Sequence, residues 1–172
     1  SNTIMPLKYI LSCFWEGQEG RFLLWMFWHC ALGWVIIATA GEWENGVMFV
    51  ISLVQIFLAS MILGVVILGY KMGNNPFVLL RDHPDFANLP FIKMPDYLSK
   101  IKDGRGLNPL LQNYWMTIHP PTLFLGFAST VIPFAFAIAG LMRKKFTEWI
   151  KPAMPWTFFG VMILGTGILM GA

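Results

Sequence analysis

The chain has 172 residues, of which 56% are hydrophobic and only 12% charged, with a mean hydropathy of +0.61 and a formal net charge of +3. Soluble domains carry about 25% charged residues, so the composition excludes an ordinary water-soluble globule and points to an integral membrane protein in a lipid bilayer. The small positive charge is spread over loops and gives no reason to invoke nucleic acid. Cys13 and Cys30 form no CxxC or CxxCH, which excludes a thioredoxin-like pair and a covalent haem attachment site. Cys30 reads as a small apolar filler in a membrane helix. The chain begins Ser-Asn-Thr without an initiator Met or a signal-peptide layout and stops inside an apolar run, so a piece of a longer polypeptide is expected.

Taken in chain order, residues 1–21 are polar to amphipathic and end in WEGQEGR. A membrane-spanning helix needs about 20 apolar residues. Phe22–Ala40 is free of charge and carries His29 near its middle; Val47–Tyr70 is also free of charge, with Gln55 as its main polar side chain. Between them GEWENG (41–46) reads as a tight turn. The segment 71–118 carries prolines at 76, 84, 90, 95 and 109. A connection of that length is usually functional or partly ordered. The third span is Thr122–Met142 and the fourth Trp156–Ala172, joined by the basic turn 143–155. The predicted fold is therefore all-α: a polytopic transmembrane bundle, one membrane domain with four spans and a long outer-face loop. The segments 1–21 and 71–118 share one face. The Arg143-Lys144-Lys145 cluster argues that the other face is cytoplasmic, although eight of the twelve Lys/Arg residues lie opposite it.

The stretch Gly106–Pro121, GLNPLLQNYWMTIHPP, is the most informative. It places His119 at the water-facing rim of the third span. Pro120 biases His119 toward an extended backbone, and Pro121 suits a first helical turn. The imidazole is thus expected just outside a helix start, on a stiff backbone. Neutral imidazole is a common haem ligand. Gln112, Asn113 and Thr117 are candidate hydrogen-bond partners for orienting the ring, and Tyr114 and Trp115 offer a flat aromatic surface at the interface.

These segments together resemble the CcmF/CcsA-type cytochrome c biogenesis proteins, a haem-handling, haem-lyase family. The resemblance runs through Trp15-Glu16-Gly17-Gln18-Glu19-Gly20, then Leu23-Leu24-Trp25, Asn75-Pro76-Phe77 and Leu107-Asn108-Pro109-Leu110-Leu111-Gln112. It continues through His119-Pro120-Pro121, Gly126-Phe127 and Phe134-Ala135-Phe136-Ala137. It implies a protein that holds haem b at the outer, periplasmic face of a bacterial inner membrane. The haem is presented to the reduced CxxCH of an apocytochrome c, alongside other cytochrome c maturation subunits. His119 becomes an axial ligand of the haem iron. Trp15, Gln18, Glu19, Asn108, Gln112, Trp115, Pro120 and Pro121 become residues that shape or border the haem site. By the same likeness, the tryptophan-rich WWD segment and a second external histidine come after Ala172, and the intramembrane haem ligands fall in later helices. The stretch 81–102, with its DHPDF, lengthens the loop relative to compact members. Two other readings stand beside this one: a haem-binding transporter or delivery module without lyase chemistry, and a structural subunit of a membrane redox complex.

Blander readings apply elsewhere. His29 reads as a packed residue hydrogen-bonded between helices, although intramembrane histidines are functional candidates by default. His83, between Asp82 and Asp85 in DHPDF, reads as a solvated turn. Glu16 and Glu19 suit either proton transfer or capping of a helix that starts near Arg21. Most of the tryptophans are interfacial belt candidates.

Overall fold

The computed structural model describes residues 4–73, 75, 77–82, 88–90, 92–101, 103–104 and 106–171. His83 and Pro76 lie outside the described residues. Among the described residues there are six α-helices: α1 (Leu7–Glu16), α2 (Gln18–Thr39), α3 (Glu44–Leu63), α4 (Tyr97–Lys100), α5 (Tyr114–Met142) and α6 (Ile150–Gly171). Two short strands, β1 (Val65–Ile67) and β2 (Tyr70–Met72), pair antiparallel.

Among the described residues, four helical segments are long and apolar enough to cross a bilayer: Gln18–Thr39, Gly41–Leu63, Tyr114–Met142 and Ile150–Gly171. At about 1.5 Å rise per residue, 20 residues cover the roughly 30 Å of hydrocarbon. Their outward faces stay apolar, with Phe27, Trp34, Ile56, Phe57, Phe158, Val161 and Leu169 exposed. Water would penalise such a surface; lipid does not.

Helix starts and stops refine the expected spans. The second span was expected to run to Tyr70, but α3 stops at Leu63 because Gly64 adopts a left-handed conformation (φ 62°). Such a residue is a common helix terminator. The β-branched run Val65-Val66-Ile67 then favours a strand. Leu68 and Gly69 both have positive φ, which matches a tight hairpin turn. Unbroken hydrophobicity concealed this change of structure. The third span begins eight residues earlier than expected, at Tyr114, because Asn113 caps it by accepting a hydrogen bond from the Met116 amide (2.9 Å).

The core lies where α2, α3 and α5 meet, around Ile36, Val47, Ile132, Ala135, Phe136 and Ala139. Helix α6 packs mainly along α5. A Cβ on Gly126 would fall 2.6 Å from the Leu164 backbone, and one on Gly167 2.8 Å from that of Leu123. Small residues let the two backbones approach where no hydrophobic force drives them together.

At one end of the bundle, Glu42 Oε2 lies 2.8 Å from both Arg143 Nη2 and Lys145 Nζ. Both cations also stand over the Trp43 ring, 5.2 and 5.6 Å from its centre. Hydrogen bonds to Glu42 and then Glu148 hold the Lys145 ammonium above the ordinary lysine range. This cluster ties the α2–α3 turn to the α5–α6 turn. The other end therefore gathers α1, the start of α5 and the end of α6.

Candidate functional site

His119 is the sixth residue of α5, inside the helix and not outside its start as the two prolines suggested. The consequence is local. An amide at position 120 would bond the carbonyl of residue 116, and Pro120 has none. The indole N–H of Trp15 donates to that Met116 carbonyl instead, at 2.9 Å. Ser12, fully buried, donates to the Lys8 carbonyl at 3.0 Å and pairs through its oxygen with the Thr117 hydroxyl at 3.3 Å. Helix α1 is thus docked on the first turns of α5 by two hydrogen bonds, one of which supplies the donor that proline removes.

The junction between α1 and α2 holds that dock in place. A Cβ on Gly20 would fall 1.5 Å from the Phe14 carbonyl oxygen, so only glycine permits the close return of the chain. Arg21 Nε and Nη2 donate to the carbonyls of Trp15 and Glu16, at 3.1 and 2.9 Å, closing the end of α1. Glu16 ends α1, and Glu19 lies in the first turn of α2, where the helix dipole favours a carboxylate. That helix starts at Gln18, three residues before the expected Arg21. Gln18 and Glu19 open into a cavity of about 300 Å³ with Phe22, Phe57, Met61 and Ile62, on the α3 side. The cavity does not include His119.

The loop before α5 is tied down internally. Asn108 Oδ1 accepts from the Leu110 amide at 3.0 Å, and Gln112 Nε2 donates to the Leu107 carbonyl at 2.9 Å. Leu107 is buried. Gln112, Asn113 and Thr117 were candidate partners for the imidazole. Each is engaged elsewhere, and His119 Nδ1 is buried without a hydrogen-bond partner. Tyr114 and Trp115 are exposed at the rim, with ring centres 5.8 Å apart edge to face. On its other side, the His119 ring lies against Gly171 of α6.

The sequence reading missed the parts that Ser12, Arg21 and Gly171 play around His119. The freed carbonyl at 116 that a proline at 120 implies signals a donor from outside the helix, but that donor is Trp15 and the signal does not reach Ser12. Gly171 had none, since the approach of α6 cannot be read from spacing.

His29 is 2% exposed and packs beside Trp25, with the Gln55 side chain of α3 as its polar neighbour, so the packing is as expected. Gln55 also links the two helices by donating to the Met26 carbonyl (3.0 Å) and to Cys30 Sγ (3.3 Å). Cys30 is exposed on the helix surface. Among the described residues, no group of three His, Cys, Asp or Glu side chains is placed to hold a metal ion.

The family model for cytochrome c assembly proteins matches residues 15–172. The CcmF cytochrome c-type biogenesis protein of Haemophilus influenzae is 33% identical over the whole chain, which covers 24% of that protein. Those of Pseudomonas fluorescens and Escherichia coli are 31% and 30% identical, again over the whole chain, with 23% and 24% of each relative covered. The chain thus spans about a quarter of the length of these curated relatives. No solved structure matches it. With four helices long and apolar enough to span a membrane among the described residues, and a family match that takes in the α1–α2 junction, the loop before α5 and the His119 helix, this chain belongs to the cytochrome c assembly protein family.

Proposed function

We propose that this chain serves cytochrome c maturation by holding haem b at the outer membrane face, with His119 as an axial ligand. The haem is offered there to the CxxCH of an apocytochrome c. The observation that carries the reading is the construction around His119. A helix cap, a buried serine and an indole that replaces a missing amide all converge on the turn that bears one imidazole. Such bracing is costly in design and gives a fixed nitrogen at a rim, which suits a ligand more than a lipid-facing side chain.

The residues fit the group in donor type and position. Imidazole is an ordinary haem ligand, and the exposed Tyr114 and Trp115 provide flat apolar surface beside it. In one respect the site departs from the usual pattern. A ligating histidine commonly donates its second N–H to a fixed acceptor, whereas Nδ1 of His119 has none.

Haem, when bound, supplies the iron and the vinyl groups to which reduced cysteine thiols add. The chain's own residues do the positioning. Asn113 fixes where α5 begins, and Trp15 and Ser12 hold its first turns. Asn108 and Gln112 shape the loop at the mouth. The Arg143–Lys145 cluster at the far end supports an orientation with that end cytoplasmic and His119 on the periplasmic side of a bacterial inner membrane. Other maturation subunits are the expected partners.

The test is covalent haem attachment to a co-expressed CxxCH cytochrome, read by haem staining after denaturing electrophoresis. Full-length protein is expected to yield holocytochrome and His119→Ala to lose most of it. Haem binding without attachment in the unaltered protein would favour a delivery module; equal yields from both proteins would remove His119 from the reaction.

A further inference from the structure

A single imidazole on a helix can turn about its side-chain bonds, and a ligand must not. The usual restraint is a hydrogen bond from the second ring nitrogen. Among the described residues His119 lacks it: Nδ1 is buried with no hydrogen-bond partner. The side chains nearest in sequence that could have served are all committed elsewhere. Gln112 bonds the Leu107 carbonyl, Asn113 caps α5, and Thr117 pairs with Ser12. The ring is nonetheless enclosed on one side, because α6 passes it at Gly171.

The fit there is close. A Cβ at position 171 would stand 2.6 Å from Cε1 of His119, 3.1 Å from Nε2 and 3.3 Å from Nδ1. The first distance is well inside van der Waals contact. All three atoms belong to the edge of the ring that contains both nitrogens. Gly165, six residues earlier on α6, has open space where its Cβ would go. Gly167, one turn earlier, also admits no side chain, but there the Leu123 backbone is the obstacle at 2.8 Å, whereas at 171 the three nearest atoms all belong to the imidazole.

We propose that Gly171 is a positioning residue for His119: the bare backbone of α6 sets the rotation of the imidazole by contact, in place of the missing hydrogen bond. Gly171 touches neither iron nor substrate in this account and acts only through the histidine. The inference deepens the haem-ligand reading and rests on it for its consequence, but the contact itself does not depend on haem. A methyl at 171 crowds Cε1 and Nε2 together. It forces the ring to turn away and obstructs the nitrogen edge.

The experiment uses full-length protein in detergent, comparing wild type with Gly171→Ala, His119→Ala and, as a control on the same helix, Gly165→Ala. Two readouts are needed. On haem-free protein, the rate at which diethyl pyrocarbonate modifies His119, followed by mass spectrometry, is expected to change at least threefold in Gly171→Ala and not in Gly165→Ala. On haem-loaded protein, the low-spin electron paramagnetic resonance signal is expected to shift or weaken in Gly171→Ala alone. If Gly171→Ala also lowers the melting temperature, the double variant with His119→Ala decides the cause. Recovery means the methyl collides with the imidazole; no recovery means it disturbs the helix, which overturns the proposal. Identical behaviour of Gly171→Ala and Gly165→Ala in both readouts also overturns it. A changed modification rate with haem signals unaltered even in His119→Ala would keep the contact and refute the ligand assignment instead.

Discussion

One carbonyl explains much of what the residues around His119 do. Pro120 removes the amide that would have bonded Met116, and Trp15, a hundred residues away in sequence, donates in its place. Leaving such an acceptor without a donor costs about 1–3 kcal/mol. Trp15→Phe should therefore destabilise the protein by that order, seen as a lower melting temperature in detergent. In a Pro120→Ala background the amide returns, and the cost of Trp15→Phe should shrink. Strict additivity of the two changes would contradict this account, because independent sites add and coupled ones do not. The same residue shows what a sequence can convey. Trp15 was legible as a neighbour of the histidine motif through family likeness. Its role as a hydrogen-bond donor to α5 was not, since nothing in WEGQEG says which carbonyl the indole meets. His119 itself was found from its setting, yet placed outside a helix that in fact begins five residues before it. The cap at Asn113 outweighed the two prolines.

At the scale of elements, the four spans were legible because hydrophobicity is summed over some 20 residues and survives local error. Their ends were not. Helix α3 ends at Gly64, and the apolar run beyond it is a β-hairpin; an average over a window cannot separate the two. The other end of the bundle offers a complementary case. Helix α5 closes with Lys144 at φ 57°, the Lys144 amide bonding the Leu141 carbonyl and the Lys145 amide that of Gly140. This is a Schellman closure with a lysine where glycine is usual. A left-handed conformation costs a non-glycine residue about 1–2 kcal/mol. Lys144→Gly should thus raise the melting temperature, and Gly64→Ala, the reverse exchange at α3, should lower it. Equal and unchanged melting temperatures would mean these termini are not under the strain their backbones imply.

For the whole molecule, the bundle separates two tasks by its two ends. One end is locked by Glu42, Arg143 and Lys145 over Trp43, which fixes the turns of both helical hairpins together. The other end brings α1, α5 and α6 around His119. Which face carried the histidine was readable from loop lengths and the alternation of spans. The convergence of α1 and α6 on it was not, because both contacts cross more than fifty residues of chain. His29 provides the useful contrast. It is more deeply buried than His119, yet among the described residues no framework of capped turns or bridging indoles is aimed at it. Depth in the membrane alone does not make a ligand.

The central claim is that His119, among the three histidines, holds the iron at the outer face. Its most direct test is the pyridine-haem content and visible spectrum of the full-length protein purified in detergent, for wild type, His119→Ala, His29→Leu and His83→Ala. Loss or a marked shift of the outer-face haem signal in His119→Ala, with the other two variants like wild type, is the predicted result. Spectra and haem content unchanged in His119→Ala would contradict it.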